Sequence, residues 1–343
     1  MLVYVVRRLL LAIPQMLVIL AVTFVLIRML PGDPARLQLG PLAPQAGVDE
    51  LRLEMRLDEP IPVQFVAYLG RVVHGDFGNS WVTGSTVLSD MSKRLPATLE
   101  LLTLGLLTIL FVMVPLGTIT ASRGGGIFTR AAKRIANAYG LLAGAFPDFW
   151  LGLLLLFVFF TTLKVLPGPE GRLTIGATPP STITGLYTVD SLLHGDISGF
   201  VDALSHLVLP VCTMALVYGA VIYKTTWSSV SLALRADFTT YVEGFGLSRW
   251  RVLMQALRAA APPVVIMTGV ISGYLLGGAV LIETVFNLNG VGQYAVQSVV
   301  SADYAPIQGF VLFAAFFTMG VYLVVDIIYI MVDPRVRIRG RAD

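Results

Sequence analysis

Three carboxylates, Asp148, Glu283 and Asp326, lie inside long apolar stretches and are the groups best placed to do chemistry. A charge held in a bilayer is costly, so such an acid serves either a pathway across the membrane or a satisfied structural pair. Glu283, near one end of its stretch, suits a pore mouth; Asp148, directly after Pro147, is the deepest. An intramembrane hydrolase needs paired aspartates or a serine beside a base, and these acids do not pair by spacing. His74, His194 and His206 are not spaced as metal ligands, and the single cysteine, Cys212, makes neither an internal disulfide nor a thiolate cluster. No G-x-x-x-x-G-K-[ST] loop occurs, and Gly124-Gly125-Gly126, lacking the lysine, reads as a turn. Catalysis and nucleotide binding are therefore not expected of this chain.

The elements that position these acids are apolar helices. Of 343 residues, 56% are hydrophobic and 13% charged, about half the charge of a soluble domain. Mean hydropathy is +0.79. The first apolar run, 9–27, is too long for a signal peptide and no small-residue cleavage site follows it. With it, segments near 99–121, 137–163, 204–223, 263–286 and 307–332 make about six transmembrane helices. Pro14, Pro115 and Pro147 fall in them, which a helix bundle tolerates. With the N-terminus inside, fifteen of the twenty-four lysines and arginines are cytosolic, so the expected topology is N-in, C-in. The fold class is all-α integral membrane. Residues 1–98 give one span and a long outer loop, and 99–343 give the core, with a cytosolic element at about 235–262. The outer loops 31–98 and 164–203 either form a cap for an extracytoplasmic partner or merely cover helix ends.

The cytosolic element carries the most pattern. Phe238, Tyr241, Val242 and Phe245 recur at i, i+3, i+4 and i+7, which predicts a short amphipathic helix with Asp237 as N-cap. Gly246 supplies its stop. Leu247-Ser248 restarts the chain, with Ser248 as the next N-cap and Trp250, Leu253, Met254 and Leu257 as a second apolar face. Pro262-Pro263 marks entry into the next span. So short a helix is not stable alone; it docks on its own bundle or in a groove of a cytosolic partner. In the fifth span Gly269, Gly273 and Gly277 stack every four residues, allowing backbone-close packing within the chain, against a partner, or along a gate.

These features, in order along essentially the whole chain, resemble the B-type inner-membrane permease of dipeptide, oligopeptide and nickel ABC importers. The resemblance is carried by Arg7-Arg8 with Pro31-Gly32-Asp33-Pro34, by Gly75-Asp76-Phe77-Gly78-Asn79-Ser80 and by Arg94-Leu95-Pro96-Ala97-Thr98-Leu99-Glu100-Leu101. It continues through Phe149-Trp150-Leu151-Gly152, Leu281-Ile282-Glu283-Thr284, Gly290-Val291-Gly292-Gln293, Asp303-Tyr304 and Asp333-Pro334-Arg335. In the family's cytosolic signature an acidic-Ala-Ala element is followed by a glycine. Here Thr240-Tyr241-Val242 takes its place, with Gly246 as the glycine, and Glu243 stands where a basic residue is usual, implying a matched change in the partner.

The resemblance implies a type I ABC importer (MetI-like) permease fold in the bacterial cytoplasmic membrane, importing di- or oligopeptides. Nickel, glutathione or oligosaccharide cargo is the alternative. It also implies a homologous C-type permease, two cytosolic ATPase subunits (or one fused) holding ATP and magnesium, an extracytoplasmic binding protein, contact with membrane lipid, and no nucleic acid. ATPase coupling then falls to Asp237, Phe238, Tyr241, Val242, Glu243, Phe245, Gly246, Leu247 and Ser248. Pore or packing roles fall to Gly269, Gly273, Gly277, Glu283 and Asp148. A stand-alone channel or secondary transporter would instead need inverted repeats or broken helices, which the sequence does not announce.

Overall fold

A computed structural model describes residues 2–29, 33–40, 42–54, 56–122, 127–142 and 144–332. Pro31-Gly32, the glycine run at 124–126 and the segment from Asp333 onward lie outside the described residues. Within them the chain is helical, with one isolated β-bridge between Asn79 and Thr86.

The chain forms two units, the first joining residues 1–96 with 289–319 and the second joining 97–288 with 320–343. In the first unit lie α1 (Leu2–Arg28), α2 (Pro34–Leu39), α3 (Gln45–Glu54) and α4 (Ile61–Val73), together with α12 (Val291–Val300). Asp33 caps α2 by accepting from the Ala35 N–H at 3.1 Å. α1 packs on α4 through Leu20, Phe24 and Tyr68, joined by Leu312. The Phe24 ring lies 5.5 Å from Phe65 and 5.4 Å from Tyr68. Two further helices run through both units, α5 (Val87–Ala121) and α13 (Tyr304–Val332).

In the second unit lie α6 (Ile127–Leu142), α7 (Asp148–Leu155) with a π-helical turn at Leu156–Thr162, and α8 (Tyr187–Leu193). They are followed by α9 (Ile197–Ala233), α10 (Asp237–Gly244) and α11 (Arg249–Phe286). α9 and α11 pack along each other and against α7. Their 37 and 38 residues exceed the roughly 20 that cross a membrane. Close approach is set at Gly117 of α5, where a Cβ would lie 2.9 Å from the Thr226 Cβ. The sequence reading placed such packing on α11 alone.

Among the described residues five helices are long and apolar enough to cross a bilayer. The expected span 137–163 is instead broken: α6 ends at Leu142, Gly144 turns at φ +92°, and Pro147 stands in extended conformation before α7. A proline disfavours helical backbone in the residue before it, and with a left-handed glycine three residues upstream the helix stops rather than kinks. A broken helix, the feature not expected from sequence, is therefore present. The reverse holds at Pro262-Pro263, where α11 runs on without a boundary. The carbonyls left without intrahelical donors belong to Arg258 and Ala259, both exposed.

Candidate functional site

The element expected in the cytosol is a helical hairpin in which α10 connects the end of α9 to the start of α11. Its root is a buried cluster of Val230, Ala233, Leu234, Val252, Leu253, Ala256 and Ala260, with Val242, Met254 and Leu257 packed on it. Thr239 pins α10 there: it is buried, and its hydroxyl donates to the Ala233 carbonyl at 2.6 Å. The residue at the N-cap of α10 is Ala236, which offers no capping side chain, so Asp237 is not the cap. It stands in the first turn, where a carboxylate favours the positive end of the helix dipole. Gly246, at φ +74°, ends the helix in the left-handed region, and its N–H meets the Glu243 carbonyl at 2.9 Å. Ser248 occupies the N-cap of α11 in extended conformation without a side-chain capping bond.

The apolar face predicted for α10 divides in two. Val242 turns inward with Thr239, while Phe238, Tyr241 and Phe245 stand in solvent. Tyr241 is 69% and Phe245 67% exposed, and their rings meet edge to face at 4.8 Å and 76°. Leu247 and Trp250 are exposed beside them, and so is Glu243. The hairpin thus docks on its own bundle by one narrow stripe and leaves an aromatic patch uncovered, the kind of surface that marks an interaction site. Covering one such ring stabilises a complex by roughly 2 kcal/mol.

On α11 the glycines play separate parts. A Cβ at Gly269 would meet the Val325 side chain at 3.0–3.3 Å, so this glycine packs within the chain, whereas Gly277 is exposed with nothing within 4 Å. Gly273 is half-buried. The tightest neighbour is Gly278, where a Cβ would fall 2.1 Å from the Tyr218 hydroxyl and 2.8 Å from Asp148 Oδ2. Tyr218 donates to Asp148 Oδ2 at 2.8 Å, so the deepest acid sits at the helix break, hydrogen-bonded and clasped against α11. Glu283 does not open to a pore mouth within this chain. It is fully buried and accepts from the Thr98 hydroxyl at 2.6 Å, a structural pair that joins α5 to α11.

The segment between α7 and α9 of the second unit is built on two acids that the sequence pattern does not single out. Glu100, buried one turn into the apolar part of α5, accepts from Arg172 at 2.5 Å and from the Thr188 N–H and hydroxyl at 2.8 and 2.6 Å. Arg172 also stacks 3.6 Å over the Tyr187 ring. Asp190, fully buried, accepts from the N–H groups of Ile183, Thr184 and Gly185 and from the Thr184 hydroxyl. Burial pushes its carboxyl up, but these donors outweigh it and hold the group below the ordinary carboxylate value. The signal in sequence was slight: an acid in an apolar run, and a Thr-Gly pair before a short helix.

In the first unit the Gly75–Ser80 and Asp303-Tyr304 motifs prove to be partners. Ser80 donates to Asp303 at 2.6 Å, while Asp90 accepts from Thr83 at 2.5 Å and from Tyr294 at 3.0 Å. Burial, with the Asp90 charge nearby, raises the Asp303 carboxyl above its usual value despite the Ser80, Val82 and Trp81 donors. Arg94 meets Asn289 and lies 4.7 Å over the Tyr294 ring.

Comparison with known proteins places these features in company. Residues 113–338 match the family described as binding-protein-dependent transport system inner membrane component, and residues 1–103 match its N-terminal counterpart. A probable D,D-dipeptide transport system permease protein of Escherichia coli is 37% identical over 316 residues, 92% of each chain. A dipeptide transport system permease protein of the same species is 33% identical over 342 residues, 98% of this chain and 99% of its own. A di/tripeptide transport system permease protein of Pseudomonas aeruginosa is 34% identical over 341 residues, 98% of this chain and 99% of its own.

Proposed function

This chain belongs to the family of binding-protein-dependent transport system inner membrane components, and on that premise we propose that it is one of two permease subunits of an ATP-driven importer of short peptides. Family membership makes it a multi-pass membrane transport subunit rather than an enzyme. Peptide cargo is supported by relatives named for dipeptides and di/tripeptides that align over nearly its full length. The proposed topology has both ends in the cytosol of a bacterial cytoplasmic membrane, supported by the lysine and arginine bias. The sixth crossing is then made by the broken α6–α7 segment.

The observation that carries the coupling role is the aromatic patch of Phe238, Tyr241 and Phe245, displayed on a hairpin whose root is continuous with α9 and α11. In this proposal the patch lies in a groove of a cytosolic ATPase subunit, and a homologous permease supplies the other hairpin. Closure of the nucleotide-bound ATPase pair moves the hairpin, and because the hairpin is rooted in packed helices the motion reaches the outer ends of α9 and α11. The effector biases a two-state element by binding one arrangement more tightly than the other. An extracytoplasmic binding protein then delivers peptide to the outward-open state, with Gly273 and Gly277 facing the second permease.

The test is uptake of a labelled dipeptide into proteoliposomes holding the whole importer. The expected result is uptake that requires ATP, both ATPase subunits and the binding protein. Uptake by this chain alone, driven by an ion gradient without ATP, would overturn the proposal and favour the secondary-transporter reading that the broken helix at Asp148 otherwise suggests.

A further inference from the structure

A cavity of about 510 Å³ in the first unit opens where α1 ends, lined by Arg28, Arg56, Arg71, His74, Asp76 and Gln64 among others. Three arginines face one carboxylate there. Arg56 has a partner in Glu59 at 3.7 Å, but Arg28 and Arg71 have no carboxylate partner among the described residues. The Arg28 guanidinium lies 5.2 Å over the Phe24 ring, held at the last turn of a membrane-crossing helix. Gln64 is buried and donates to the Leu57 and Glu59 carbonyls at 3.2 and 2.8 Å, fixing the turn that carries Arg56. With Arg28 Nε buried and unbonded, and neither Arg28 nor Arg71 in an ion pair with Asp76, the cleft holds an excess of positive charge that suits an anion from outside the chain.

The surroundings say which anion. Val25 and Leu26 on α1, and Met29 just past its end, flank Arg28 and are exposed; Val63, Val66 and Val73 are exposed on α4, whose opposite side buries Gln64 and Tyr68. α4 is therefore amphipathic, as helices that lie in a membrane interface are, and Arg28 is the last residue of a helix long enough to cross a membrane, the level at which lipid phosphates are met. Guanidinium groups match phosphate geometry. Asp76, on the same rim, keeps one oxygen on the Gly78 N–H at 2.9 Å and has a second for an ammonium group. We propose that this cavity is a binding site for the phosphoethanolamine headgroup of a phospholipid. The phosphate lies between Arg28 and Arg71, the ammonium at Asp76, and the acyl chains along the exposed valines of α4 and the end of α1.

The experiment is native mass spectrometry of the intact importer, purified from nanodiscs of equimolar phosphatidylethanolamine and phosphatidylglycerol and then stripped with detergent. Phosphatidylethanolamine should remain bound to the parent. It should fall about tenfold in R28Q and in R71Q, one lost charge-assisted contact each. D76N, which keeps the oxygen that Gly78 uses, should erase the preference over phosphatidylglycerol. Arg71 is exposed, so R71Q tests the site without disturbing the fold. Any of three outcomes would overturn the proposal: retention unchanged in R28Q and R71Q, phosphatidylglycerol as the lipid the parent keeps, or displacement by inorganic phosphate as readily as by excess phosphatidylethanolamine. Variants that keep their lipid but bind the extracytoplasmic protein more weakly would assign the cavity to that protein instead.

Discussion

Residues 164–203 fold around buried carboxylates that have all their donors, whereas residues 237–250 leave three aromatic rings and a tryptophan in solvent. Both segments join helices of the same unit. The first is closed by Glu100 with Arg172 and by Asp190 with three backbone N–H groups. Buried carboxylates ringed by donors are held stiffly, because displacing them strands a charge. In the hairpin, α10 is held to the bundle by Val242 and Thr239, while Phe238, Tyr241 and Phe245, its largest apolar groups, stand exposed. One region is finished by folding; the other, on the function proposed above, is finished by a partner.

Breaking the Glu100–Arg172 network should have the largest effect on stability. Glu100→Ala strands Arg172 and should cost about 3–5 kcal/mol, read as loss of folded protein or a marked drop in unfolding temperature in detergent. Gly278→Ala comes next, because its Cβ displaces Tyr218 from Asp148, at about 1–3 kcal/mol by the same assay. Gly277→Ala, with open space around it, should leave the lone chain unchanged and impair only the assembled importer. At the hairpin root Thr239→Val removes one buried hydrogen bond, worth about 1 kcal/mol, and should loosen α10 in hydrogen exchange before the bundle responds.

The smallest effect is a pH dependence. The folded Asp190 carboxyl titrates below its unfolded value, so its contribution is complete above the ordinary carboxylate range and is lost as pH falls through the lowered folded value. Unfolding temperature measured below pH 4 should therefore fall more steeply for the parent than for Asp190→Asn. Equal slopes would mean that the Asp190 shelf carries no stability of its own.

Much of this was legible in the residues. Hydropathy located five of the long helices, because apolar length alone decides membrane crossing. Gly246 announced the hairpin, since a helix stop needs a left-handed residue. The i, i+3, i+4, i+7 pattern picked out the aromatic side chains that stand exposed but assigned Val242 to the same face, because periodicity reports amphipathicity and not which neighbour covers it. The break at Gly144–Pro147 was hidden because prolines occur freely in membrane helices; Pro262-Pro263, a stronger signal on paper, interrupts nothing. Glu283 looked like a pore residue because Thr98, its partner, lies nearly two hundred positions away. Glu100 was passed over for the same reason, its meaning residing in Arg172.

The central claim is that the exposed rings of α10 are completed by an ATPase subunit. Its most direct test is ATP-driven dipeptide uptake by the reconstituted importer carrying Tyr241→Asp with Phe245→Asp. Both rings are exposed, so membrane insertion and unfolding temperature should match the parent, surface changes of this kind falling within about 0.5 kcal/mol. Uptake should fall by at least about tenfold while the ATPase subunits still hydrolyse ATP. Uptake equal to the parent's, with both aspartates in place and the subunits assembled, would contradict the assignment.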